Sequence, residues 1–168
     1  YVIADGEADK LCAELVINKK AYACLSDDMD LFMYGCPLVL RLFSITKKTV
    51  YLYNLEVILK DLNISFENFK IICALSGTDY NVEEKINSIF SIYKKYLYYY
   101  KINDEDKFLD WLKKDNFDYD KKRLLDTIEM FKINNTYKYE PIVNSFVDKI
   151  NLYSLLEKEY FLNPITVY

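Results

Sequence analysis

The side chains of this chain that are best suited to chemistry are five carboxylates in three short runs: Glu7, Asp9, Asp28, Asp30 and Asp79. Each lies where a predicted strand or helix begins or ends, and α/β sheets usually place their reactive groups at such points. The run 26–30, Ser-Asp-Asp-Met-Asp, follows a short apolar stretch. Because 26 of the 168 residues are acidic, about four acid-x-acid pairs are expected by chance, and spacing alone is weak support.

Carboxylates that lie close together raise one another's pKa unless a cation offsets their charge. Magnesium suits such a site because it takes hard oxygen ligands and keeps several waters, one of which can become a nucleophile. Two such ions about 4 Å apart form the clamp that serves in-line attack on phosphodiesters. From the acids alone, solvated surface side chains, a calcium site and a phosphoryl-transfer site also remain open.

Glu7 and Asp9 can share a site only on an irregular stretch of backbone. On a regular helix, residues i and i+2 diverge by about 200°. The two acids can therefore meet only in the first turn of the helix that follows Gly6. There the positive end of the helix dipole would moderate their repulsion.

The composition excludes several kinds of site. The chain contains no histidine, so it cannot hold a Ser-His-Asp or Cys-His catalytic site or a histidine-bound zinc. Its four cysteines are widely spaced without a C-x-x-C pair, which predicts buried, reduced thiols and an intracellular protein. No segment is apolar enough to span a bilayer, so a soluble protein without membrane contact is expected. The net charge of −4 gives no overall basic surface of the kind typical of nucleic-acid binding, and it does not identify the binding partner.

Strands and helices alternate in the first half of the chain and must position the acids. An apolar strand is predicted at 1–4, followed by a helix with Asp5 as its N-cap and with Leu11 and Leu15 at helical spacing. A buried strand at 21–25 would complete a right-handed parallel crossover. Further predicted elements are strands at 38–43 and 49–53, a helix at 55–62 capped by Asn54, and a helix from Ser65 to Ser76 ended by Gly77.

Beyond Asp79 the pattern changes to long amphipathic helices. They are predicted at 86–97, 106–114, 119–131, 141–153 and 155–161. The aromatic cluster 96–100 could stack on bases, although packing at a helix end is favoured. The predicted fold class is α/β with a mostly parallel sheet, followed by an α-helical C-terminal half.

Three motifs around the acids resemble the internal nuclease segment of the flap endonuclease/XPG family. Residues 1–15, YVIADGEADKLCAEL, resemble its segment in which an E-A-E/D motif precedes a Cys-Ala-Leu helix. Residues 26–30, SDDMD, resemble its T/S-E/D-D-M/S-D motif, and residues 75–80, LSGTDY, its L-x-G-S/T-D-Y motif. Because three motifs occur in the same order, the resemblance is specific, and it covers about the first half of the chain.

The resemblance implies a PIN-like 5′ nuclease core in residues 1–80, and a helical region in 81–168 that diverges from the family's helix-two-turn-helix and C-terminal segment. It implies that the catalytic and metal-binding acids are Glu7, Asp9, Asp28, Asp30 and Asp79, with two magnesium ions as cofactors and manganese as a substitute. Asp27 matches a variable position and is not expected to be a ligand. Gly77 would allow a tight turn before Asp79, and Tyr80 is expected to pack or hydrogen-bond beside the site.

The chain departs from the family pattern in two places. The family's N-terminal segment, with two further aspartates and a helical arch, does not precede Tyr1, so a fragment with an incomplete active site is expected. No glycine follows Gly77, although the family's helix-two-turn-helix is rich in glycine. The DNA-binding residues inferred in its place are Lys85, Lys94 and Lys95, with the basic run 121–123 as another candidate; solvated helix surface is the alternative reading of both groups.

The function implied is that of a structure-specific 5′ nuclease, of the flap endonuclease or 5′-3′ exonuclease type, which hydrolyses DNA phosphodiesters by a two-metal mechanism in replication or repair. The expected partners are DNA with a 5′ flap or another branched structure and, through sequence outside this chain, a sliding clamp. The expected location is nuclear, or cytoplasmic if the protein is virus-encoded. The alternative is a catalytically inactive PIN-like binding or scaffold module. A third reading, a different magnesium phosphohydrolase with an aspartate nucleophile, does not account for the order of the three motifs.

Overall fold

The computed structural model of the chain describes residues 3–80, 88–102, 105–134 and 148–158. The chain divides into two compact units, Tyr1–Thr136 and Tyr137–Tyr168. The elements of the first unit are α1 (Ala8–Ile17), β1 (Cys24–Leu25), α2 (Asp30–Met33), β2 (Leu38–Ser44), β3 (Thr49–Asn54), α3 (Leu55–Asp61), α4 (Phe66–Ser76), α5 (Ile89–Ile102), α6 (Phe108–Lys114) and α7 (Lys121–Met130). Helix α8 (Lys149–Lys158) belongs to the second unit. The predicted division into a nuclease core, residues 1–80, and a helical region, residues 81–168, stays a prediction.

Local side-chain bonds fix where α3 and α4 begin. The backbone N–H of Val57 donates to Asn54 Oδ1 over 3.3 Å, and that of Asn68 donates to Ser65 Oγ over 3.2 Å. Each bond satisfies an amide that the first turn of a helix leaves without a partner. Helix α4 ends at Gly77, whose φ of 101° is readily adopted only by glycine. These caps and the glycine stop confirm the predictions for both helices.

The sheet is three-stranded and mixed, in the order β1-β2-β3. β1 pairs with β2 in parallel, with Cys24 opposite Val39, whereas β2 and β3 are antiparallel. The four-residue turn 45–48 explains the second pairing, because so short a connection can join only antiparallel strands. The predicted α/β class is confirmed, and the described part of its sheet is mixed rather than mostly parallel.

Three predicted boundaries near the acids differ from the structure. Ile3 and Ala4 form no strand, and Ile3 is 78% exposed; the first two residues of that predicted strand lie outside the described residues. An apolar run becomes a strand only where a neighbour accepts its backbone hydrogen bonds, and in the described sheet β1 is an edge strand. β1 contains only Cys24 and Leu25 of the predicted 21–25. Helix α1 begins at Ala8 with Glu7, not Asp5, as its N-cap.

A single apolar core links the acid-bearing elements to helices α5, α6 and α7. Helix α4 packs against both α5 and α7, so it connects the two halves. The short helix α2 was not predicted, and it is anchored because the three residues after Asp30 are buried. Fully buried side chains of the core include Leu31, Val39, Ile92, Phe108 and Leu112.

The tyrosine-rich helix α5 packs mainly through Tyr96. This ring is buried and meets Phe108 of α6 edge to face, with centroids 5.3 Å apart. Tyr98 and Tyr100 lie largely in solvent. The favoured reading of the cluster, packing rather than base stacking, therefore holds for Tyr96.

Helices α6 and α7 lie within the predicted segments 106–114 and 119–131. Helix α5 begins at Ile89 and runs to Ile102, beyond the predicted end at 97, and residues 86–87 of that prediction lie outside the described residues. The prediction for 141–153 lies partly outside the described residues, and α8 runs across the predicted break between 153 and 155. Within the described ranges, no helix is both long and apolar enough to cross a bilayer.

Candidate functional site

The run 26–30 folds into a tight turn that fixes Asp28 and Asp30 relative to each other. The backbone N–H of Asp30 donates to Asp28 Oδ1 over 2.8 Å, and that of Asp28 donates to Ser26 Oγ over 3.1 Å. Asp30 is also the first residue of α2, and the rest of that helix is buried. Two carboxylates are thus held at a helix start that is anchored in the core.

Asp27 has a different role from its neighbours. Its Oδ1 accepts from the backbone N–H of Leu42 over 2.8 Å. The guanidinium of Arg41 donates to the Asp27 carbonyl over 2.8 Å and lies 4.0 Å from its carboxylate. This carboxylate ties the acidic turn to β2. The expectation that Asp27 is not a metal ligand stays a prediction.

All five predicted acids share one electrostatic environment. Burial, and then the charges of Asp28, Asp79, Asp9 and Glu7, raise the pKa of Asp30 from 3.8 to about 6. Burial, followed by the charges of Asp28 and Glu7, also raises the pKa of Asp9. Acids at the start of α1, in the acidic turn and after α4 are therefore near enough for their charges to act on Asp30. Sequence motifs selected these residues, and the fold brings them within electrostatic range of one another.

The donor chemistry of this cluster fits a hard divalent cation, since carboxylate oxygens are the ligands that magnesium prefers. A cation would also relieve the repulsion that raises the pKa of Asp30. Among the residues that the structure describes, however, no three acidic or cysteine side chains are close enough together to hold a metal ion. The assignment of the five acids as metal ligands stays a prediction.

The cysteines near the acids are protonated thiols. Burial is the main cause that raises the pKa of Cys24 to about 12 and of Cys73 to about 12. In the metal-free protein these thiols are therefore protonated, and they contribute to packing. All four cysteines are free, as predicted. Cys24 and Cys36 are buried, whereas Cys12 and Cys73 are only half-buried, in contrast to the prediction.

Two tyrosines and a phenylalanine pack beside the acids. The hydroxyl oxygens of Tyr34 and Tyr80 lie 3.4 Å apart, and the ring of Phe131 contacts both tyrosine rings. Tyr80 packs and hydrogen-bonds as expected. Sequence reasoning missed Tyr34 and Phe131, because each occurs in an ordinary apolar pattern and the two are far apart in the chain.

The predicted DNA-contacting lysines differ in their surroundings. Lys95 Nζ lies 2.5 Å from Asp115 Oδ2, so its charge is already paired. Lys94 Nζ lies over the ring of Phe90, 4.4 Å from its centroid, on an exposed face. Lys85 lies outside the described residues. In the basic run 121–123, Lys121 Nζ is 3.6 Å from Asp110 Oδ1.

Two cavities of about 390 and 440 Å³ lie between α4, α6 and α7. Both are lined by Glu67, Ile71, Leu109 and Leu125, and neither is lined by any of the five acids. Of the five acids, Glu7, Asp28 and Asp79 are exposed, and Asp9 and Asp30 are half-buried.

Comparison with known proteins places the acids in a recognised segment. The XPG I-region family model matches residues 1–79. Flap endonuclease 1 of Saccharomyces cerevisiae (strain RM11-1a) is 41% identical over 83 residues, which are 48% of this chain and 22% of the yeast protein. Flap endonuclease 1 of Enterocytozoon bieneusi is 38% identical over 102 residues, 57% of this chain and 28% of that protein. The matched segments are thus about a quarter of the length of these relatives.

Solved structures resemble a longer part of the chain. Flap endonuclease-1 from Methanococcus jannaschii superposes with a TM-score of 0.69 at 27% identity, over 95% of this chain and 47% of that one. Human GEN1 in complex with Holliday junction DNA gives a TM-score of 0.71 at 20% identity, over 95% and 44%. The catalytic core of Rad2 in complex with DNA substrate gives 0.68 at 22% identity, over 96% and 58%. Because their sequence identities are low, the GEN1 and Rad2 structures show only that the fold is shared.

The motifs, the PIN-like α/β fold and these relatives agree. Residues 1–79 match the XPG I-region, and the chain is similar to flap endonuclease 1 proteins in sequence and in fold.

Proposed function

We propose that the protein carrying this chain is a structure-specific 5′ nuclease that hydrolyses DNA phosphodiesters. The observation that carries the proposal is the shared environment of the five acids, in which burial and then the charges of the other four carboxylates raise the pKa of Asp30 to about 6. Like charges that a fold holds near one another despite their repulsion are typical of sites that bind a cation or do acid-base chemistry. Here they lie within an XPG I-region.

In this proposal the five carboxylates bind two divalent cations. Bound magnesium, or manganese in its place, would supply an activated water and positive charge at the attacking and leaving oxygens. The turn 26–30 holds Asp28 and Asp30 in fixed relation, and Gly77 lets the backbone turn just before Asp79. No side chain of this chain is assigned as a general base.

The proposed substrate is branched DNA with a 5′ flap. Support comes from the relatives named flap endonuclease 1 and from the neighbours solved with DNA substrate or Holliday junction DNA. On this chain, the ammonium of Lys94 is the better candidate for a phosphate contact, because that of Lys95 is paired with Asp115. A sliding clamp remains a proposed partner, bound through sequence outside this chain.

One observation favours a second candidate, a non-catalytic binding or scaffold module. In the described part of the chain, no three acids are close enough to hold an ion. A scaffold would tolerate that spacing, whereas a nuclease needs the bound cations to draw the carboxylates together.

Cleavage of a labelled 5′-flap duplex by the full-length protein with magnesium tests the proposal. The parent protein is expected to cleave the flap. Asp28→Ala and Asp79→Ala are each expected to reduce the cleavage rate at least about 100-fold. Mutation of a residue that only hydrogen-bonds to a metal ligand already costs about 10- to 100-fold in activity, and loss of a ligand should cost more. Asp61→Ala is the matched control, since Asp61 is an exposed acid at the end of α3. An inactive parent would favour the scaffold, and equal activity of all three variants would refute the metal-site assignment.

A further inference from the structure

We propose that Arg41 of β2 is a positioning residue for the acidic turn 26–30, and that its guanidinium holds the backbone on which Asp28 and Asp30 lie. It acts on the two acids through the turn rather than by contact with their carboxylates. The inference rests on the proposed function, because it assumes that these two acids take part in cleavage.

The guanidinium of Arg41 contacts the turn at two points. Its Nη2 donates to the carbonyl of Asp27 over 2.8 Å, and its Nη1 donates to the thioether sulfur of Met29. These two residues lie directly before and directly after Asp28, so the contacts hold the backbone on both sides of that acid. A guanidinium suits this role because its N–H groups form a rigid, planar fork.

The part of the turn between the two acids is not fixed by burial. Asp28 is exposed, and Met29 is 55% exposed. At the start of the turn a backbone bond to β2 is present, since the N–H of Ser26 donates to the Leu40 carbonyl over 3.1 Å. Further along the turn, the guanidinium of Arg41 provides the contact with β2. It therefore restrains the stretch of chain that joins the two acids.

Arg41 is itself positioned by an aromatic ring. Its Cζ lies 5.8 Å from the ring centroid of Tyr53, a distance typical of a cation–π interaction. The ring of Tyr53 meets that of Phe32 edge to face, with centroids 6.2 Å apart. Phe32 is a buried residue of α2, the helix that begins at Asp30. The guanidinium is thus fixed against the same helix whose first residue it helps to place.

The surroundings of Arg41 argue against a role in packing alone. Its side chain is 19% exposed, and its Nε is buried without a hydrogen-bond partner among the described residues. The Oδ1 of Asp27 lies 4.0 Å from this Nε, which is beyond hydrogen-bond distance. A buried donor without a partner costs free energy, and an aliphatic side chain would avoid that cost. The two bonds to the turn are what an aliphatic side chain could not supply.

Hydrogen exchange of the full-length protein in the presence of a chelator measures this role without relying on cleavage or on a bound ion. Arg41→Met keeps most of the length of the side chain and removes the guanidinium. It is expected to speed exchange of the amides of residues 26–30 by about tenfold or more, because a hydrogen bond from a charged group is lost. Mass spectrometry of peptides that cover the turn gives the rates. Arg41→Lys can restore one of the two bonds and should give an intermediate rate.

Asn54→Ala is the matched control for a general loss of stability. Asn54 lies in the same sheet and caps α3, where its side chain accepts from the N–H of Val57 over 3.3 Å. Its replacement should lower the melting temperature about as much as Arg41→Met does and leave exchange of residues 26–30 unchanged. Exchange of the turn at the parent rate in Arg41→Met would overturn the inference. An equal rise in Arg41→Met and Asn54→Ala would overturn it as well.

Flap cleavage by the same variants shows whether this restraint acts on the acids. Arg41→Met is expected to lower kcat by about tenfold or more, as for other residues that orient a metal ligand, and to leave KM for the flap DNA unchanged. An unchanged kcat would contradict the positioning role. A higher KM, together with a slope of log affinity against log salt that is smaller by about 1, would identify Arg41 as a phosphate contact instead.

The two measurements also separate this inference from the proposed function. A parent protein that leaves a 5′ flap uncut contradicts the nuclease, and faster exchange in Arg41→Met then still supports the restraint of the acidic turn. A parent that cleaves the flap, with unchanged exchange in Arg41→Met, contradicts the inference alone. If Arg41→Met does not fold by circular dichroism, Arg41→Lys decides by the same two measurements.

Discussion

The acid-bearing segments and helices α5 to α7 differ in how their charged side chains are arranged. Around Asp30, burial and the like charges of neighbouring acids raise its pKa to about 6. Along the helices, several charged side chains are paired with opposite charges. These pairs are Lys95–Asp115, Lys114–Asp106 and Lys121–Asp110. A fold retains unpaired like charges where they serve a ligand, whereas exposed pairs contribute little beyond solubility.

The aromatic side chains differ between the two regions as well. In the helices, Tyr96, Phe108 and Trp111 pack on one another as core. Beside the acids, Tyr34 and Tyr80 present hydroxyls that bond to each other. The helices thus provide a packed core, and the ring of Phe131 at the end of α7 contacts both tyrosines, while residues 3–80 carry the five candidate acids.

The largest effect on stability is expected in the helices. Phe108 is 1% exposed and contacts Tyr96 and Trp111. Phe108→Ala should lower the free energy of unfolding by about 3–5 kcal/mol, the usual cost of removing a buried ring. Phe90→Ala, at a ring that is 62% exposed, should change it by about 0.5 kcal/mol or less. Urea unfolding measures the free energy of unfolding of both variants. An equal loss in the two would show that the buried and the exposed ring contribute alike to stability.

The next largest effect is expected at the acids, and on activity rather than stability. Asp30→Asn should reduce flap cleavage at least about 100-fold. It should leave the melting temperature unchanged or higher, because it removes a repelled charge. Asp115→Asn, which breaks the pair with Lys95, is the comparison in the helices and should retain cleavage. A melting temperature that falls in Asp30→Asn would show that its charge stabilises the fold.

Metal binding should depend on pH through Asp30. Its pKa is raised from 3.8 to about 6, so protons compete with the cation below pH 6, and affinity should fall by about tenfold per pH unit there. A raised carboxyl pKa also means that this group stabilises the metal-free fold below pH 3.8 and that this contribution is lost as the pH rises through about 6. Mn²⁺ titrations and thermal melts from pH 5 to 8 check both directions. An affinity that stays constant between pH 5 and 7 would contradict the shared acidic environment.

The smallest effect is expected from the exposed lysines of α5. Lys94→Ala should reduce the slope of log affinity against log salt for flap DNA by about 1, the value for one phosphate contact. Lys95→Ala should change it less, because its pair with Asp115 must break before it can bind a phosphate. Fluorescence anisotropy over a salt series distinguishes the two, and a larger change for Lys95→Ala would reverse the assignment.

Features encoded in a few neighbouring residues could be predicted from the sequence. The caps Asn54 and Ser65 and the stop at Gly77 depend on local bonds and local backbone sterics. The acids could be selected because each belongs to a short motif. The helix that starts at Asp30 was missed, because it is a single turn and depends on burial of the residues after it.

Features that depend on packing could not be predicted. Strand β1 is shorter than its apolar run, because pairing with β2 defines it. The contact of Tyr34 and Tyr80 with Phe131 joins three distant segments, and no local pattern marks it. The pairing of Lys95 with Asp115 likewise appears only once α5 and the end of α6 are in place.

Carboxylates from three segments are proposed to form one divalent-cation site. Anomalous diffraction from crystals of the full-length protein soaked in Mn²⁺ would show whether an ion binds there. The expected result is anomalous density about 2.1 Å from carboxylate oxygens of at least Asp28 and Asp30, with Glu7, Asp9 or Asp79 completing the shell. Density only at sites remote from all five acids, in crystals of a protein that cleaves flap DNA, would contradict the account.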